Sequence, residues 1–471
     1  MSIRHGIDPC GKRKERYMKK KLVSVILAVT MAASMIAGCG SSAGSGASEA
    51  SDGKSTADAG SETTADNTGS GEASGSSGEV NMFISSPEYA DAINELIDAY
   101  KEVAPDVTIN YETTQNDYPT LLKAKLNSGE VPDIFSSTSG KEIDTYLEYS
   151  YDLSNEPLME TMDPAVAAAM SSTENGGTGC YGIAIKGNYF GILYNKDIFD
   201  EVGISEFPKT ASGLVEVCEK LEAAGHKPFT TGFSEWWVFK HCYQSFVNAA
   251  ADGAGISTAE LVQKFEKGEA KVSDYPELYN NFFDFLDLAK KYGDDKPLET
   301  DLAAEEAAFA TGEAAIMLGQ GAWVEADCLA INPDLKIGFV GYPTTEDASE
   351  SKVVSGSDQA LHIYKDSPNL QATLDFVNWW YTSDYGKAWF NDVAGVVPPI
   401  VSDAESEFEV IKQGSALAEK DGAGALAICY STDSWHQVCG QILQSYLAGE
   451  VNKDEACAQI EEQWASIDGA K

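Results

Sequence analysis

The sequence is poor in positive charge. Its 471 residues contain 33 Lys and Arg against 74 Asp and Glu, which gives a formal net charge of −41. Nucleic-acid backbones and anionic lipid surfaces both attract clustered Lys and Arg. The composition therefore argues against a general nucleic-acid binder and against a protein that charge alone holds to a membrane.

Histidine and metal-ligand patterns are also scarce. The chain has five His, and its nine Cys include no Cys-x-x-Cys pair and no pair with a His at metal-ligand spacing. Residues 80–471 contain no Gly-x-Ser-x-Gly, no His-Glu-x-x-His and no Gly-rich dinucleotide turn between a strand and a helix. We therefore expect no metal, no cofactor and no enzymatic activity. A secreted glycoside hydrolase stays open as a less favoured alternative, because it needs only a positioned pair of carboxylates.

Only one uncharged apolar run approaches membrane length, which argues against a multi-span transporter or channel. It covers residues 22–38 and follows eight Lys and Arg within residues 4–21, the pattern of an export signal that begins at Met1 or Met18. The letters IAGC at 36–39 resemble a bacterial lipobox. The resemblance implies that residues 1–38 are removed and that Cys39 carries the lipid. A transmembrane anchor is the alternative, for which the run is short.

A segment without apolar residues follows. Gly, Ser, Ala and Thr make up 31 of residues 40–79, and no Val, Ile, Leu, Met or aromatic residue occurs among them. Such a segment cannot bury a core, so residues 39–79 are predicted to be a flexible tether. We expect a protein on the outer face of the bacterial cytoplasmic membrane, extracellular and attached to the membrane only through its N-terminal lipid. The seven Cys beyond the tether are expected to be buried thiols.

Residues 80–471 are too many for one core, so at least two lobes are expected. Their first part alternates strand and helix patterns, with strands at 79–85, 107–111 and 131–135 and helices at 87–103 and 119–127. This alternation predicts a parallel sheet with helices on both faces. In such sheets ligands bind beyond the carboxyl ends of the strands, so three loops are expected to form one mouth. The loops are residues 85–89, 114–118 and 136–140.

Several later stretches occur in an order that resembles a known family. They are LYNKDIF at 193–199, FATGEAAIM at 309–317 with GAW at 321–323, GFVGYP at 338–343, DFVNWW at 375–380 with GVVP at 395–398, and LAGE at 447–450. Together they resemble the extracellular solute-binding proteins of ABC importers, family 1, the sugar-binding group that includes maltose-binding protein.

The resemblance implies an α/β fold of two lobes, each a mostly parallel sheet flanked by helices, joined by a hinge of crossing strands. The crossings are expected near 184–186, 339–343 and 397–400. Lobe one would be 80–184 plus 343–397, and lobe two would be 186–340 plus 400–471. The implied function is capture of a carbohydrate, an oligosaccharide, in the interlobe cleft by a monomer that delivers it to the transmembrane subunits of an ABC permease. A peptide or a polyamine is the alternative ligand.

A sugar presents apolar ring faces and hydroxyl edges, so its site needs aromatic platforms beside carboxylate and amide side chains. The candidates in lobe two are Glu235, Trp236, Trp237, Trp323 and Trp435. Those in lobe one and at the crossings are Glu88, Tyr89, Asn116, Asp117, Ser139, Asn188, Ser357 and Asp358. Trp323 and Trp435 fall near family stacking positions, and Glu235, Trp237 and Asn188 fall where maltose-binding protein contacts its sugar.

Each candidate also has a structural alternative. Trp323, Trp435 and the pair Trp236 and Trp237 could be core residues of lobe two. Glu88 could be a helix-start carboxylate beside a surface Tyr89. Asn116, Asp117 and Ser139 could be ordinary polar loop residues, and Ser357 and Asp358 could belong to a plain turn.

Overall fold

The computed structural model describes residues 77–172, 175–402 and 406–466. The predicted export signal, the lipidation site Cys39 and the tether up to residue 76 lie outside the described residues. Within those ranges no helix is both long enough and apolar enough to cross a membrane. All seven Cys in the described part of the chain are buried and free, as predicted.

The first lobe is built on a four-stranded sheet of order β2-β1-β3-β9. Its strands are β1 (Gly78–Ile84), β2 (Val107–Thr113), β3 (Ile134–Thr138) and β9 (Gln359–Ile363). β1 pairs in parallel with β2 and β3, which confirms the predicted βαβαβ unit. β9 arrives from a later part of the chain and runs antiparallel to β3.

Helices pack on this sheet. They are α1 (Ala90–Val103), α2 (Tyr118–Ser128), α3 (Lys141–Thr145), α4 (Pro164–Ala169), α12 (Leu370–Thr382) and α13 (Asp384–Asp392), with 3-10 turns at Pro87–Tyr89 and Pro157–Glu160. α1 buries Ile93, Leu96 and Tyr100 along one face, at the three- and four-residue spacing of an amphipathic helix. α2 ends at Gly129, whose φ of 80° favours glycine.

The second lobe is built on a sheet of order β5-β6-β4-β7, with β8 also paired to β4. Its strands are β4 (Asn188–Asn195), β5 (Lys227–Thr231), β6 (Ala314–Gly321), β7 (Ile337–Val340) and β8 (Val354–Gly356). Here the prediction of a mostly parallel sheet is wrong, because β4 runs antiparallel to β6, β7 and β8, and only β5 and β6 are parallel. β4 carries the chain away from the first lobe, whereas its neighbours run back towards it.

Ten helices described for the second lobe cover its sheet. They are α5 (Lys196–Glu201), α6 (Ala211–Ala223), α7 (Trp236–Ala254), α8 (Thr258–Glu266), α9 (Phe282–Tyr292), α10 (Leu302–Ala310), α11 (Glu325–Ile331), α14 (Glu409–Asp421), α15 (Asp433–Ala448) and α16 (Lys453–Ser466). Polar N-caps begin several of them: the side chains of Thr210, Ser257 and Thr432 each accept a backbone N–H of the first turn. α7 is buried on nearly every side and forms the centre of the lobe.

Short turns complete this lobe. They are 3-10 turns at Val272–Asp274, Pro297–Glu299, Ala322–Val324, Ala348–Glu350 and Ala427–Tyr430, and a π-helical turn at Glu277–Asn281.

The chain passes between the two sheets at three places. At the first, Ile183 pairs with Leu361 and Gly187 pairs with Val397, as isolated bridges instead of the short strand predicted there. The third lies near its predicted position, since the Gly187 N–H donates to the Val397 carbonyl over 2.8 Å and Ile400 pairs with Met162 of the first lobe.

The second passage differs from its predicted position near 339–343. β8 still pairs with β4 of the second sheet, so the chain crosses only between β8 and β9, at residues 356–359. Residues 343–353 stay beside the second lobe. There the Thr345 carbonyl accepts a hydrogen bond from the Ala211 N–H, and the Glu346 carboxylate accepts one from the Ser212 N–H. The predicted position marks the end of β7, and the returning strand β8 is too short to be predicted from its periodicity.

Candidate ligand-binding site

A cavity of about 180 Å³ lies between the two lobes. Its volume is many times the ~10–15 Å³ that one water molecule needs. The lining residues are Ser85, Pro87, Glu88, Gln115, Pro119, Ser136, Ser137, Thr138, Lys186, Glu235, Trp236, Trp237, Lys240, His241, Leu302, Trp323, Asp358, Gln359 and Asp433. All three loops that were predicted to form one mouth contribute to the first-lobe wall, so that prediction is confirmed.

Three tryptophans form the wall of the second lobe. Trp236 and Trp237 begin α7, and Trp323 follows β6 in a 3-10 turn. Each is at most 8% exposed. The two adjacent tryptophans form the first turn of α7. Since α7 places residues four apart on one face, Lys240 and His241 line the cavity with them.

Lys186 lies at the first crossing, between aromatic rings of both lobes. Its ammonium is 4.9 Å from the ring centre of Tyr89 and 5.2 Å from that of Trp323, and it pairs with Glu88 over 3.3 Å. Burial alone would lower the pKa of Lys186, but Tyr89, Glu88 and Asp358 raise it above its ordinary value. The ammonium is therefore charged, and it joins the Glu88 side of the cavity to the Trp323 side.

Lys240 is the second cation of the cavity. Its ammonium pairs with Asp433 over 2.9 Å and lies 5.5 Å from the ring centre of Trp236. Burial lowers the pKa of Lys240, but the carboxylates of Asp433 and Asp358 outweigh burial and raise it. The cavity therefore combines two buried ion pairs with aromatic surface.

Three buried polar atoms in or beside the cavity have no hydrogen-bond partner within the described part of the chain. They are Glu235 Oε2, Trp237 Nε1 and the Tyr89 hydroxyl. Buried polar atoms in folded proteins are nearly always paired, so unpaired ones that share one cavity require an explanation. Glu235 and Trp237 line the cavity, and one oxygen acceptor with one indole donor suits a ligand that carries hydroxyl groups.

Contacts between the lobes close the rim of the cavity. The Trp236 indole N–H and the Gln437 amide both donate to the Asn116 carbonyl over 3.3 Å. Lys141 of the first lobe pairs with Glu266 of the second, and the Glu142 carboxylate accepts the Asp433 N–H over 2.7 Å. The described conformation is therefore a closed one.

Six of the thirteen predicted contact residues line the cavity: Glu88, Glu235, Trp236, Trp237, Trp323 and Asp358. Several others lie just behind its wall. Tyr89 packs on Lys186, and the Asn188 amide donates to Asp358 over 2.9 Å. Ser139 donates to the Ser357 carbonyl over 2.6 Å, and Ser357 donates to the Lys186 carbonyl over 2.8 Å.

The remaining predicted residues lie elsewhere. Asn116 and Asp117 are exposed at the rim, and Asn116 reaches across the cleft through its backbone carbonyl only. Trp435 is corrected to a core residue, because its ring centre lies 3.8 Å from that of Trp464 and it does not line the cavity. Its place near a family stacking position predicted exposure to the cleft, but Trp464 of α16 packs against it.

Four of the lining residues, Lys186, Lys240, Asp433 and Gln359, were not predicted from the sequence. A signal existed for two of them. Lys186 falls within the predicted first crossing, and Lys240 is four residues after Trp236. Asp433 and Gln359 had no such signal in the sequence, because α15 and β9 reach the cavity only through the packing of elements that are distant in the chain.

Two serines contact one histidine beside the cavity wall. Ser137 Oγ is 2.7 Å from His362 Nε2, and Ser150 Oγ is 2.7 Å from His362 Nδ1. Burial lowers the pKa of His362 to about 3, so the imidazole is a weak base, and a serine replaces the carboxylate that orients the base in a catalytic triad. This geometry favours a structural role. No group of metal-binding side chains occurs among the described residues.

Comparison with known proteins identifies the family. Residues 95–418 match the sequence profile of the bacterial extracellular solute-binding protein family. The melibiose/raffinose/stachyose-binding protein MelE of Bacillus subtilis is 22% identical over 304 residues, which cover 62% of this chain and 67% of MelE. The multiple sugar-binding protein of Streptococcus mutans is 21% identical over 308 residues, 64% of this chain and 71% of that protein.

A solved structure has the same fold. The crystal structure of a sugar transporter from Bacillus licheniformis in complex with stachyose superposes with a TM-score of 0.69 at 17% identity, and the match covers 83% of this chain and all 100% of that one. This agreement confirms the two-lobed α/β fold. The profile match spans more than half of the chain, so the chain belongs to the bacterial extracellular solute-binding protein family.

Proposed function

We propose that this protein is a lipid-anchored extracellular receptor that binds an oligosaccharide between its lobes and delivers it to an ABC importer. The observation that carries the proposal is the composition of the cavity wall. Trp236, Trp237 and Trp323 of the second lobe line the same cavity as the polar loops of the first lobe. Sugars bind to such a combination of ring faces and planar polar groups.

The proposed contacts divide between stacking and hydrogen bonding. The tryptophan rings would cover the apolar faces of the sugar. Glu88, Glu235 and Asp358 would accept its hydroxyl protons, and Lys186 and Lys240 would donate to its oxygens. The unpaired Glu235 Oε2 and Trp237 Nε1 support this assignment, because a sugar hydroxyl supplies both a donor and an acceptor.

Ligand and closure are coupled in this proposal. We assign residues 77–185 plus 359–397 to lobe one and residues 187–356 plus 402–466 to lobe two, on the strand pairings. A ligand that contacts Glu88 and Trp237 together does so only when the lobes are closed, so its binding favours the closed form. The permease would then recognise the closed surface, and the monomer would release the sugar as the lobes part.

Anchoring rests on the N-terminal sequence. The positive segment, the apolar run and Cys39 in a lipobox-like setting support export and lipidation. Acyl chains on Cys39 would hold the receptor at the membrane. The tether predicted at residues 39–79 would let it reach the permease, although β1 begins at Gly78 and so shortens the tether at its end.

A polyamine or a peptide is the competing ligand. Glu235 beside three tryptophans suits a cation. The two ammonium groups of the cavity are each paired with a carboxylate, Glu88 and Asp433, so charge alone does not decide between a cation and a sugar. The relatives named for melibiose, raffinose, stachyose and multiple sugars add support for a carbohydrate.

A thermal-shift screen tests the proposal. Raffinose, stachyose, spermidine and a tripeptide mixture would each be added to the purified protein at millimolar concentration. A ligand that binds only the folded state raises the Tm, by the equivalent of about 2.7 kcal/mol at one hundred times its Kd. We expect at least one oligosaccharide to raise the Tm. A rise with spermidine or peptides alone would overturn the sugar assignment.

A further inference from the structure

Trp323 is held by a buried chain of hydrogen bonds that leads away from the cavity. Its indole N–H donates to Gln320 Oε1 over 3.0 Å, and Gln320 Nε2 donates to Glu305 Oε2 over 2.7 Å. Trp323 is 8% exposed, and Gln320 and Glu305 are fully buried. The chain therefore runs from the cavity wall, through the end of β6, to α10.

The acid at the end of this chain has few other contacts. Glu305 Oε1 has no hydrogen-bond partner within the described residues, and burial raises the pKa of Glu305 well above its ordinary value. A Cβ at Gly232 would lie 2.6 Å from Glu305 Oε2, so the backbone there approaches the carboxyl closely. An uncharged acid in this position still accepts the Gln320 amide through one oxygen.

Such an arrangement is costly for a core. A buried polar pair contributes less stability than apolar side chains of the same volume unless every hydrogen bond is made. Leucine or methionine at 305 and 320 would fill the same space without an unpaired oxygen. The benefit of the polar pair must therefore lie in what it holds, and the one group it holds at the cavity is the Trp323 ring.

The ring needs such support because the second side-chain torsion of tryptophan has broad energy wells. Packing contacts also restrict the ring. A Cβ at Gly321 would lie 2.3 Å from Trp323 Cζ3, so the indole packs directly on the backbone, and Phe190 and His241 meet the ring edge-on. Among the described residues, Gln320 is the one that binds the indole nitrogen.

We infer that Glu305 and Gln320 are positioning residues that set the plane of the Trp323 ring at the cavity wall. Because Gln320 occupies the indole N–H, Trp323 offers no hydrogen-bond donor to a ligand. Glu305 fixes the Gln320 amide so that its oxygen faces the indole. The effect of these residues on sugar affinity rests on the proposed function. Their effect on the orientation of the Trp323 ring does not.

Indole N–H signals in a ¹⁵N NMR spectrum test this inference without any ligand. Trp323→Phe identifies the Trp323 signal by its disappearance. We expect Gln320→Met to move that signal strongly and Glu305→Met to move or broaden it. Glu305→Gln should leave it in place, because the new amide still offers an oxygen to Gln320. Gln244→Met is the matched control, since Gln244 is a buried amide of the same lobe that does not line the cavity.

A measurement on the unaltered protein covers the case in which a variant fails to fold. The Trp323 indole proton should exchange slowly with solvent in the absence of ligand, because it is bonded to Gln320. Exchange as fast as that of an exposed indole would overturn the inference. An unchanged Trp323 signal in folded Gln320→Met would overturn it too.

Sugar titration separates this inference from the proposed function. With raffinose as the probe, we expect Gln320→Met and Glu305→Met to weaken binding about three- to tenfold, the size of one lost hydrogen bond, while Glu305→Gln binds like the unaltered protein. Equal affinity in all variants, with the signal shifts present, would show that the ring plane does not set affinity. If the unaltered protein binds neither raffinose nor any other oligosaccharide tested, that result counts against the proposed function and leaves the NMR result standing.

Discussion

The carboxylate of Glu142 accepts the backbone N–H of Asp433 over 2.7 Å, so an acid of the first lobe binds the first turn of a second-lobe helix. Its other oxygen accepts the Thr138 N–H over 2.8 Å within its own lobe. Glu142 is 3% exposed in this arrangement. Opening of the cleft would break the first bond and expose the acid.

We expect this contact to make closure depend on pH. Burial, and then the charge of Asp433, raise the pKa of Glu142 from its ordinary 4.5 to about 8 in the closed structure. Below pH 4.5 the acid is protonated in open and closed forms alike, so it does not oppose closure. Between pH 4.5 and 8 closure takes up a proton, and the closed form loses stability as pH rises, by at most about 1.4 kcal/mol per unit.

Glu142→Gln should remove this dependence, because the amide cannot ionise. We expect the ligand-free variant to keep a constant proportion of closed molecules from pH 5 to 8.5, measured by small-angle scattering, while the unaltered protein opens progressively. The same pH profile in both proteins would contradict the role of Glu142.

Trp237 and Trp435 form a matched pair for testing the cavity. Both are 5% exposed, but only Trp237 lines the cavity. Trp237→Ala should weaken sugar binding by about 2 kcal/mol or more, as expected for an aromatic anchor. Trp435→Ala should instead lower the free energy of unfolding by about 3–5 kcal/mol, because it removes a core ring.

Calorimetric titration and urea unfolding on both variants check this pair. Trp435→Ala, once folded, should bind sugar with nearly unchanged affinity. Full affinity in Trp237→Ala would remove that residue from the site.

Glu88 and Lys186 should be energetically coupled in their contribution to the free energy of unfolding. Their side chains are 15% and 7% exposed, so removal of one partner leaves a largely buried charge. Lys186→Met alone should therefore cost about 3–5 kcal/mol of stability. The double variant with Glu88→Gln should cost less than the sum of the single changes. Additive losses in urea unfolding would show that the two groups do not interact.

The alternation of short motifs predicted the first lobe well. The strand at 79–85, the helix after Pro87 and the loops at 85–89 and 136–140 all follow from local periodicity and turn residues, and parallel pairing then brings the loops together. The second sheet was predicted less well, because the direction of β4 relative to β6 depends on long-range connections that no local pattern records.

The sequence predicted those site residues whose side chain suits a sugar and whose position matches a mouth loop or a family contact position, as for Trp237, Trp323 and Glu88. Lys186 and Lys240 were not predicted as site residues, because a lysine is ordinarily exposed to solvent. Their burial depends on the carboxylate partners Glu88 and Asp433, which the sequence does not identify. Trp435 shows the reverse case. An aromatic residue at a helix start suits a sugar, but the packing of Trp464 against it is decided by the tertiary fold.

Cys39 is the residue on which the proposed anchor depends. Cys39→Ala should leave the protein without a lipid, because the acyl chains attach through the thiol of that residue. We expect the variant to incorporate no radiolabelled palmitate and to leave the detergent phase in a partition assay. Cys180→Ala, which alters a buried thiol, is the control and should label like the unaltered protein. Labelling of Cys39→Ala would contradict the lipobox assignment.

Isothermal titration calorimetry tests the central claim, that this cavity captures an oligosaccharide, most directly. Raffinose, stachyose and other neutral oligosaccharides would be titrated in turn into the purified protein, followed by spermidine and a tripeptide mixture. We predict one-to-one binding of at least one oligosaccharide with a Kd of about 1 μM, which corresponds to about −8 kcal/mol. Saturable heat from spermidine or peptides, with none from any oligosaccharide, would contradict the account.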